Sequence, residues 1–159
     1  MLKLFFKDDG FIPNSRFPVL VHRGAIRLHG SSVPLAQALL GERALRTGKG
    51  WKLEWLWKVY KRPHYHSTTH EALVVWSGSA TLQLGGHRVG KLVKVGKGDA
   101  ILITAGVAHR AVERTEDFQV FGLYPFGAKP WDMLFCRKRE RTKAIANLAL
   151  LGEPPNFYL

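Results

Sequence analysis

Cysteine, acidic residues and long apolar runs are what this 159-residue chain has least of. Its one cysteine, Cys136, can close no intramolecular disulfide, which agrees with a reducing compartment. No apolar run approaches the eighteen or so residues of a membrane-spanning helix. The opening Met-Leu-Lys-Leu-Phe-Phe-Lys-Asp-Asp is too short, and too acidic at its end, to read as a signal peptide. A soluble cytoplasmic protein without a membrane partner is expected. Low-complexity tracts, internal repeats and long linkers are also missing, so a single domain over residues 1–159 is expected. A chain of this length buries about 70% of the surface it exposes when unfolded, enough for one core of its own.

Acidic residues are outnumbered: 12 Asp and Glu stand against 24 Lys and Arg, a formal net charge of +12. Such a surplus suits anionic partners, whether a small acid, nucleic acid or a phosphate-rich surface. The cations are scattered, however, and the one dense run, Arg137-Lys138-Arg139-Glu140-Arg141, reads first as a solvated helix start. No nucleic-acid motif accompanies it. A small-molecule substrate or ligand, anionic ones included, is therefore favoured over nucleic acid.

What the chain does have is patterned. Residues 1–50 hold an opening arm to about residue 16, a strand over 17–22, and a helix announced by Ser31-Ser32 and Pro34. In that helix Leu35, Leu39, Leu40 and Leu45 recur at helical spacing until Gly48. From Trp51 the period changes to two, with Trp51, Leu53, Trp55, Trp57 and Val59 on one face of an extended run. Short apolar runs at 73–76, 80–84, 92–95, 100–104 and 118–124 follow, parted by glycine turns, so residues 51–125 read as an all-β sandwich or barrel. Residues 126–159 contain a closing helix, with Ala144, Ile145, Leu148 and Leu151 at helical spacing, and an extended tail.

The stretch His64-Tyr65-His66-Ser67-Thr68-Thr69-His70-Glu71 carries the chemistry. His64 and His66 are two apart, so on a strand both imidazoles leave the same face, within reach of one ion. Ser67-Thr68-Thr69 is a plausible turn that returns the chain with His70 or Glu71 beside them. Neutral imidazoles with one carboxylate suit divalent zinc, iron, manganese, nickel or cobalt. His109, just past a glycine turn, is the best further candidate from another strand.

At these residues the chain resembles the cupin superfamily. Its first motif, Gly-x5-His-x-His-x(3 or 4)-Glu-x6-Gly, is matched by His64, His66, Glu71 and Gly78, with Lys58 in place of the leading glycine. The second, Gly-x5-Pro-x-Gly-x2-His-x3-Asn, is matched by Gly98, Gly106 and His109, with Thr104 for the usual proline and Glu113 for the usual asparagine. More specifically, Lys7 to Asn14, Ser77-Gly78-Ser79-Ala80, Ala105 to His109 and Tyr124-Pro125 are similar to the YjlB-like cupins, small single-domain bacterial proteins. The resemblance implies a double-stranded β-helix (jelly roll) with one helix before the barrel and one C-terminal helix. It also implies one divalent transition metal in the barrel mouth, held by His64, His66, Glu71 and His109, and a homodimer. The permitted spacing leaves His70 as an alternative to Glu71, which is preferred because it sets the six-residue interval to Gly78.

Glu113 shares strand parity with His109 and reads either as a cavity acid or base or as a rim carboxylate. Arg62 shares parity with His64 and His66 and reads as an anchor for an anionic substrate or as a solvated strand-end arginine. Tyr60, Trp76 and Tyr124 read as core or cavity wall, and Trp51, Trp55 and Trp57 as sheet packing or a dimer face before ligand stacking. His22, His29 and His87 have no partner pattern. The leading functional expectation is a metal-dependent small-molecule enzyme, dioxygenase-like or isomerase-like. Its alternative is a non-enzymatic ligand-binding or regulatory cupin, with a structural metal or none.

Overall fold

The computed structural model describes residues 1–27, 32–37 and 50–156. Among the described residues, nine strands make two antiparallel sheets: β1 (Leu2–Leu4), β2 (Val19–His22), β3 (Trp51–Trp57), β4 (Glu71–Ser77), β5 (Ser79–Leu84), β6 (Lys91–Gly96), β7 (Ala100–Ile103), β8 (His109–Arg114) and β9 (Gln119–Pro125). One sheet runs β1-β2-β7-β4-β9-β3, the other β6-β5-β8. The expected all-β jelly roll is what forms. Among the described residues, no helix is long and apolar enough to cross a membrane.

Alternation along the strands divides the apolar side chains between two cores. Leu73 and Val75 of β4, with Ile101 and Ile103 of β7, point between the sheets to meet Leu82, Leu84, Val93 and Val95. Their neighbours Ala72, Val74, Ala100 and Leu102 point the other way, into a second cluster with Phe121 and Leu123. That outer face is covered by Val33 and Ala36, within residues 33–37, which are helical. The expected helix thus packs on the sheet where it is seen; Leu39, Leu40, Leu45 and Gly48 lie outside the described residues. Because β4 and β7 are buried on both faces, their sequences read as continuous apolar runs rather than as alternation.

Three features depart from the sequence reading. The opening arm contains β1, which pairs Leu2 with Val21 and Leu4 with Val19. The turn at Gly85-Gly86 leads into a short helix, Gly86–Val89, before β6. Third, the run from Trp51 to Val59 does not keep one face: its pairing with β9 shifts between Leu53 and Trp55. A bulge adds one residue and so reverses the parity of everything after it. Leu53 and Leu56 join the outer cluster, whereas Trp55 packs on the inner core.

At the β4–β5 turn Gly78 has φ +64°, and a Cβ there would lie 2.8 Å from Phe118 Cα and closer still to Thr115 and Asp117. A left-handed backbone hemmed in by the chain is a place only glycine fills without strain. At the C-terminus a 3-10 turn, Lys138–Glu140, closed by the Glu140 carboxylate, which accepts the Arg137 N–H at 2.9 Å, leads into the helix Arg141–Ala149. Only Ala144 of that helix is buried; Ile145 is exposed.

Candidate metal centre

His64 and His66 lie in a short extended segment held on both sides. His64 exchanges backbone hydrogen bonds with His109 at 3.2 and 2.8 Å, and Tyr65 does the same with Leu134 at 2.9 and 3.0 Å. The alternation expected from the sequence follows: Tyr65 is fully buried against Ile12, Ala108 and Leu134, and both imidazoles point into the barrel. His109 opens β8, opposite Leu84. Glu71 opens β4, opposite Ile103.

The ligand atoms of His64, His66 and His109 lie within 4.8 Å of one another, and all three residues are buried. Glu71 completes the group: its Oε2 is 3.2 Å from His109 Nε2 and its Oε1 is 3.5 Å from His66 Nε2. Each Nδ1 faces a backbone carbonyl: Arg62 at 3.0 Å for His64, Asp132 for His66, and Val107 at 3.2 Å for His109. A carbonyl only accepts, so each Nδ1 carries a proton. Each Nε2 is thereby the ring atom turned to the cavity, the one that gives its lone pair to a metal once any proton it shares with Glu71 has left.

The electrostatics agree with a cation-binding design. Burial, and then His109 beside it, pushes His64 down to about 3, so it stays a neutral donor. Burial also pulls His66 down, but the carboxylate of Glu71 pulls harder and holds it above the ordinary histidine range. Glu71 is the converse: burial alone would keep it protonated, and the charge of His66 with hydrogen bonds from His109 and His66 leaves it well below the usual carboxylate range. With the protons shared with Glu71 displaced, three imidazole nitrogens and an anion facing one point fit a divalent transition metal by the chemistry of the donors.

His70 is not in this group. Ala105 N–H donates to its Nδ1 at 3.0 Å, so its Nε2 carries the proton and donates to Gly152 O at 3.1 Å. Both ring nitrogens are occupied on the far side of the segment. Glu113 is not brought into the cavity either. The β5–β8 pairing shifts between Thr81 and Leu82, so Ala111 stays inside while Glu113 opposite Thr81 turns out to solvent. The Arg62 guanidinium lies over the Phe135 ring, 3.9 Å from its centroid, and does not line the cavity. Of the other histidines, His22 sits in β2 and His87 in the short helix, while His29 lies outside the described residues.

The cavity above the histidines has a volume of about 260 Å³. Its walls include Trp55, Trp57, Tyr60, Tyr124 and Trp131. Tyr124 donates to Glu71 Oε1 at 2.8 Å and accepts from Trp55 Nε1 at 3.2 Å. Burial, followed by the Glu71 charge, raises its pKa, so the phenol stays protonated.

Asp132 is a residue the sequence did not single out. Its carboxylate accepts from Ser67 N–H at 2.6 Å, Ser67 Oγ at 2.6 Å and Thr68 N–H at 3.2 Å, while its carbonyl holds His66 Nδ1. Burial works against its ionisation, but the Ser67 hydroxyl and the backbone N–H groups of Ser67 and Thr68 lower its pKa. No motif or periodicity marks it, because it reaches the site from an irregular segment more than sixty residues away.

A family model described as a cupin domain matches residues 58–122, the span that contains the whole histidine cluster. The uncharacterized protein YjlB of Bacillus subtilis (strain 168) is 37% identical over 153 residues, which cover 96% of this chain and 86% of the relative. The chain belongs to the YjlB-like cupins. Among solved structures, this cupin matches acireductone dioxygenase from Bacillus anthracis, a structure with a cadmium ion in its active center. That match has 16% identity and a TM-score of 0.44 over 71% of this chain and 80% of that one. It also matches an oxalate decarboxylase at 17% identity and a TM-score of 0.39, over 54% of this chain and 22% of that one. This cupin therefore spans about a fifth of the decarboxylase's length.

Proposed function

We propose that this cupin holds one divalent transition metal through Nε2 of His64, His66 and His109 with Glu71 as the fourth ligand, and uses it on a small molecule. The observation that carries the reading is the set of three Nδ1–H groups tied to carbonyls, which leaves three Nε2 atoms gathered beside one buried carboxylate. A bound metal with two open positions would supply Lewis-acid polarisation of a carbonyl or carboxylate, or oxygen activation if it is iron. The chain's own part is to orient and to exclude water. The aromatic walls shed solvent, and Tyr124 with Trp55 fixes the Glu71 carboxylate in place. A dioxygenase-like or isomerase-like reaction suits such a site.

The same arrangement supports a second reading, binding without turnover, because Glu71 and Tyr124 are already hydrogen-bonded to each other. Residence in the cytoplasm and pairing of two copies belong to the same proposal; the lone free cysteine agrees with the first.

Elemental analysis of the purified protein beside His66→Ala and His109→Ala, with circular dichroism to check folding, tests the reading. Close to one metal per chain in the wild type, lost from both folded variants, is the expected result. A wild type that stays empty after reconstitution with iron, manganese, nickel and zinc would overturn it. Substrate-dependent oxygen uptake or product formation separates turnover from binding.

A further inference from the structure

We infer that the ligand of this cavity is a flat aromatic carboxylate, which directs its oxygens to the histidine end and its rings to the tryptophans. The inference rests on the metal reading above and adds the class of molecule. It comes from which polar groups the cavity still has to offer. Trp55 N–H is given to Tyr124, and the Tyr124 hydroxyl to Glu71. Lys58 lines the wall with its stem, while its ammonium donates to Glu116 O at 2.8 Å. The Arg62 cation lies outside on Phe135. Among the described lining residues that leaves, away from the metal end, the Tyr60 hydroxyl on a half-exposed ring at the rim and the single indole N–H groups of Trp57 and Trp131, on exposed rings that can turn them to solvent.

A ligand with hydroxyls or a second carboxylate along its length would bury them against indole and hydrocarbon. Each unpaired group costs about 1–3 kcal/mol, so sugars and polyacids are disfavoured. Flat rings lose nothing there. Tyr124 and Trp131 lie nearly parallel, 16° apart with centroids 6.2 Å from one another, and Trp131 stands edge-on to His66 at 5.7 Å. Trp57 presents its ring at the mouth with 58% of its surface exposed. Size sets the last bound. A dry cavity of about 150 Å³ takes benzene, so about 260 Å³ has room for two fused rings with a carboxylate.

Isothermal titration of the zinc-loaded protein with 2-naphthoate and with gluconate is the test. Both are monocarboxylates with the same number of non-hydrogen atoms, and they differ in rings against hydroxyls. The expected result is at least about tenfold tighter binding of naphthoate. Trp57→Ala is expected to weaken it about tenfold and Trp57→Phe to restore most of the loss. Trp131→Ala, at a second exposed ring, provides the same reading independently of Trp57. Gluconate bound as tightly as naphthoate, or naphthoate affinity unmoved by both tryptophan-to-alanine changes, overturns the inference. Failure of the metal reading looks different: the protein retains no zinc, and naphthoate binds equally to chelated and zinc-treated samples.

Discussion

Tyr124 donates a 2.8 Å hydrogen bond to Oε1 of Glu71, a carboxylate buried inside the barrel beside two imidazoles. The phenol also accepts from Trp55, so its one oxygen satisfies a buried anion and a buried N–H together. Tyr124→Phe keeps the ring and removes that oxygen. A buried group stripped of its partner costs about 1–3 kcal/mol, and the urea midpoint is expected to fall accordingly with its slope unchanged. An unchanged midpoint would mean that Glu71 finds its hydrogen bonds elsewhere.

Trp55 reaches Tyr124 only because Gly122 lets it pass. A Cβ at Gly122 would stand 2.0 Å from Trp55 Cε2 and 2.2 Å from Cζ2. Gly122→Ala is therefore expected to cost about 1–3 kcal/mol by overpacking and to weaken the near-ultraviolet circular dichroism as the indole is expelled. Gly96→Ala is the control, since nothing lies within 4 Å of that Cβ. Thermal melts of the two should differ, with the Gly96 variant within about 0.5 kcal/mol of wild type.

The bulge that turns Trp55 inward is also where the sequence ceased to be legible. Period two is read by counting, and one extra residue at Glu54, invisible in the count, moves Trp55 and Trp57 from an assumed packing face to the cavity wall. A second bulge, in β8, takes Glu113 out of the site by the same arithmetic. Where strands are regular local pattern suffices: the apolar runs at 73–76 and 100–104 fall on β4 and β7, His64 and His66 share a face, and the closing helix forms. Asp132 and Trp131 were illegible for another reason. They lie in an irregular segment whose position is set by the Tyr65–Leu134 pairing, a tertiary contact that no local pattern announces.

Stability of the metal-free protein should fall on acidification from pH 6.5 downward. Burial, reinforced by His109, holds His64 at about 3, and burial holds His70 below 6.5 despite its bond to Gly152. The unfolded chain therefore binds protons first, and the free energy of unfolding declines between 6.5 and about 3. His66 acts oppositely: raised by Glu71 against its burial, it adds stability below 6.5 that is lost as pH rises through its folded value. Burial lowers His22 too, and Glu71 and Asp132, held below the ordinary carboxylate range, also lose stability on acidification, so urea midpoints in the presence of chelator should drop through this window. His70→Gln, whose amide can still accept from Ala105 and donate to Gly152, should make the decline shallower. A midpoint flat between pH 6.5 and the acid limit would contradict the assignment of His64 and His70 as buried neutral groups.

Asp132 touches no cavity space, yet it anchors the Ser67–Thr68 turn and lends its carbonyl to His66 Nδ1. Removing the carboxylate in Asp132→Ala frees that turn, and with it the carbonyl that fixes the His66 tautomer. Loss of such an orienting contact typically lowers metal affinity about ten- to a hundredfold. Competition against a chromogenic chelator should register that drop in a protein that is still folded by circular dichroism. Arg62→Ala, by contrast, removes a guanidinium packed on Phe135 but leaves the carbonyl that His64 Nδ1 uses, so its metal affinity should match wild type. If Asp132→Ala binds metal as tightly as Arg62→Ala, the imidazole of His66 is oriented by its ring packing against Trp131 and Tyr124 rather than by the Asp132 carbonyl.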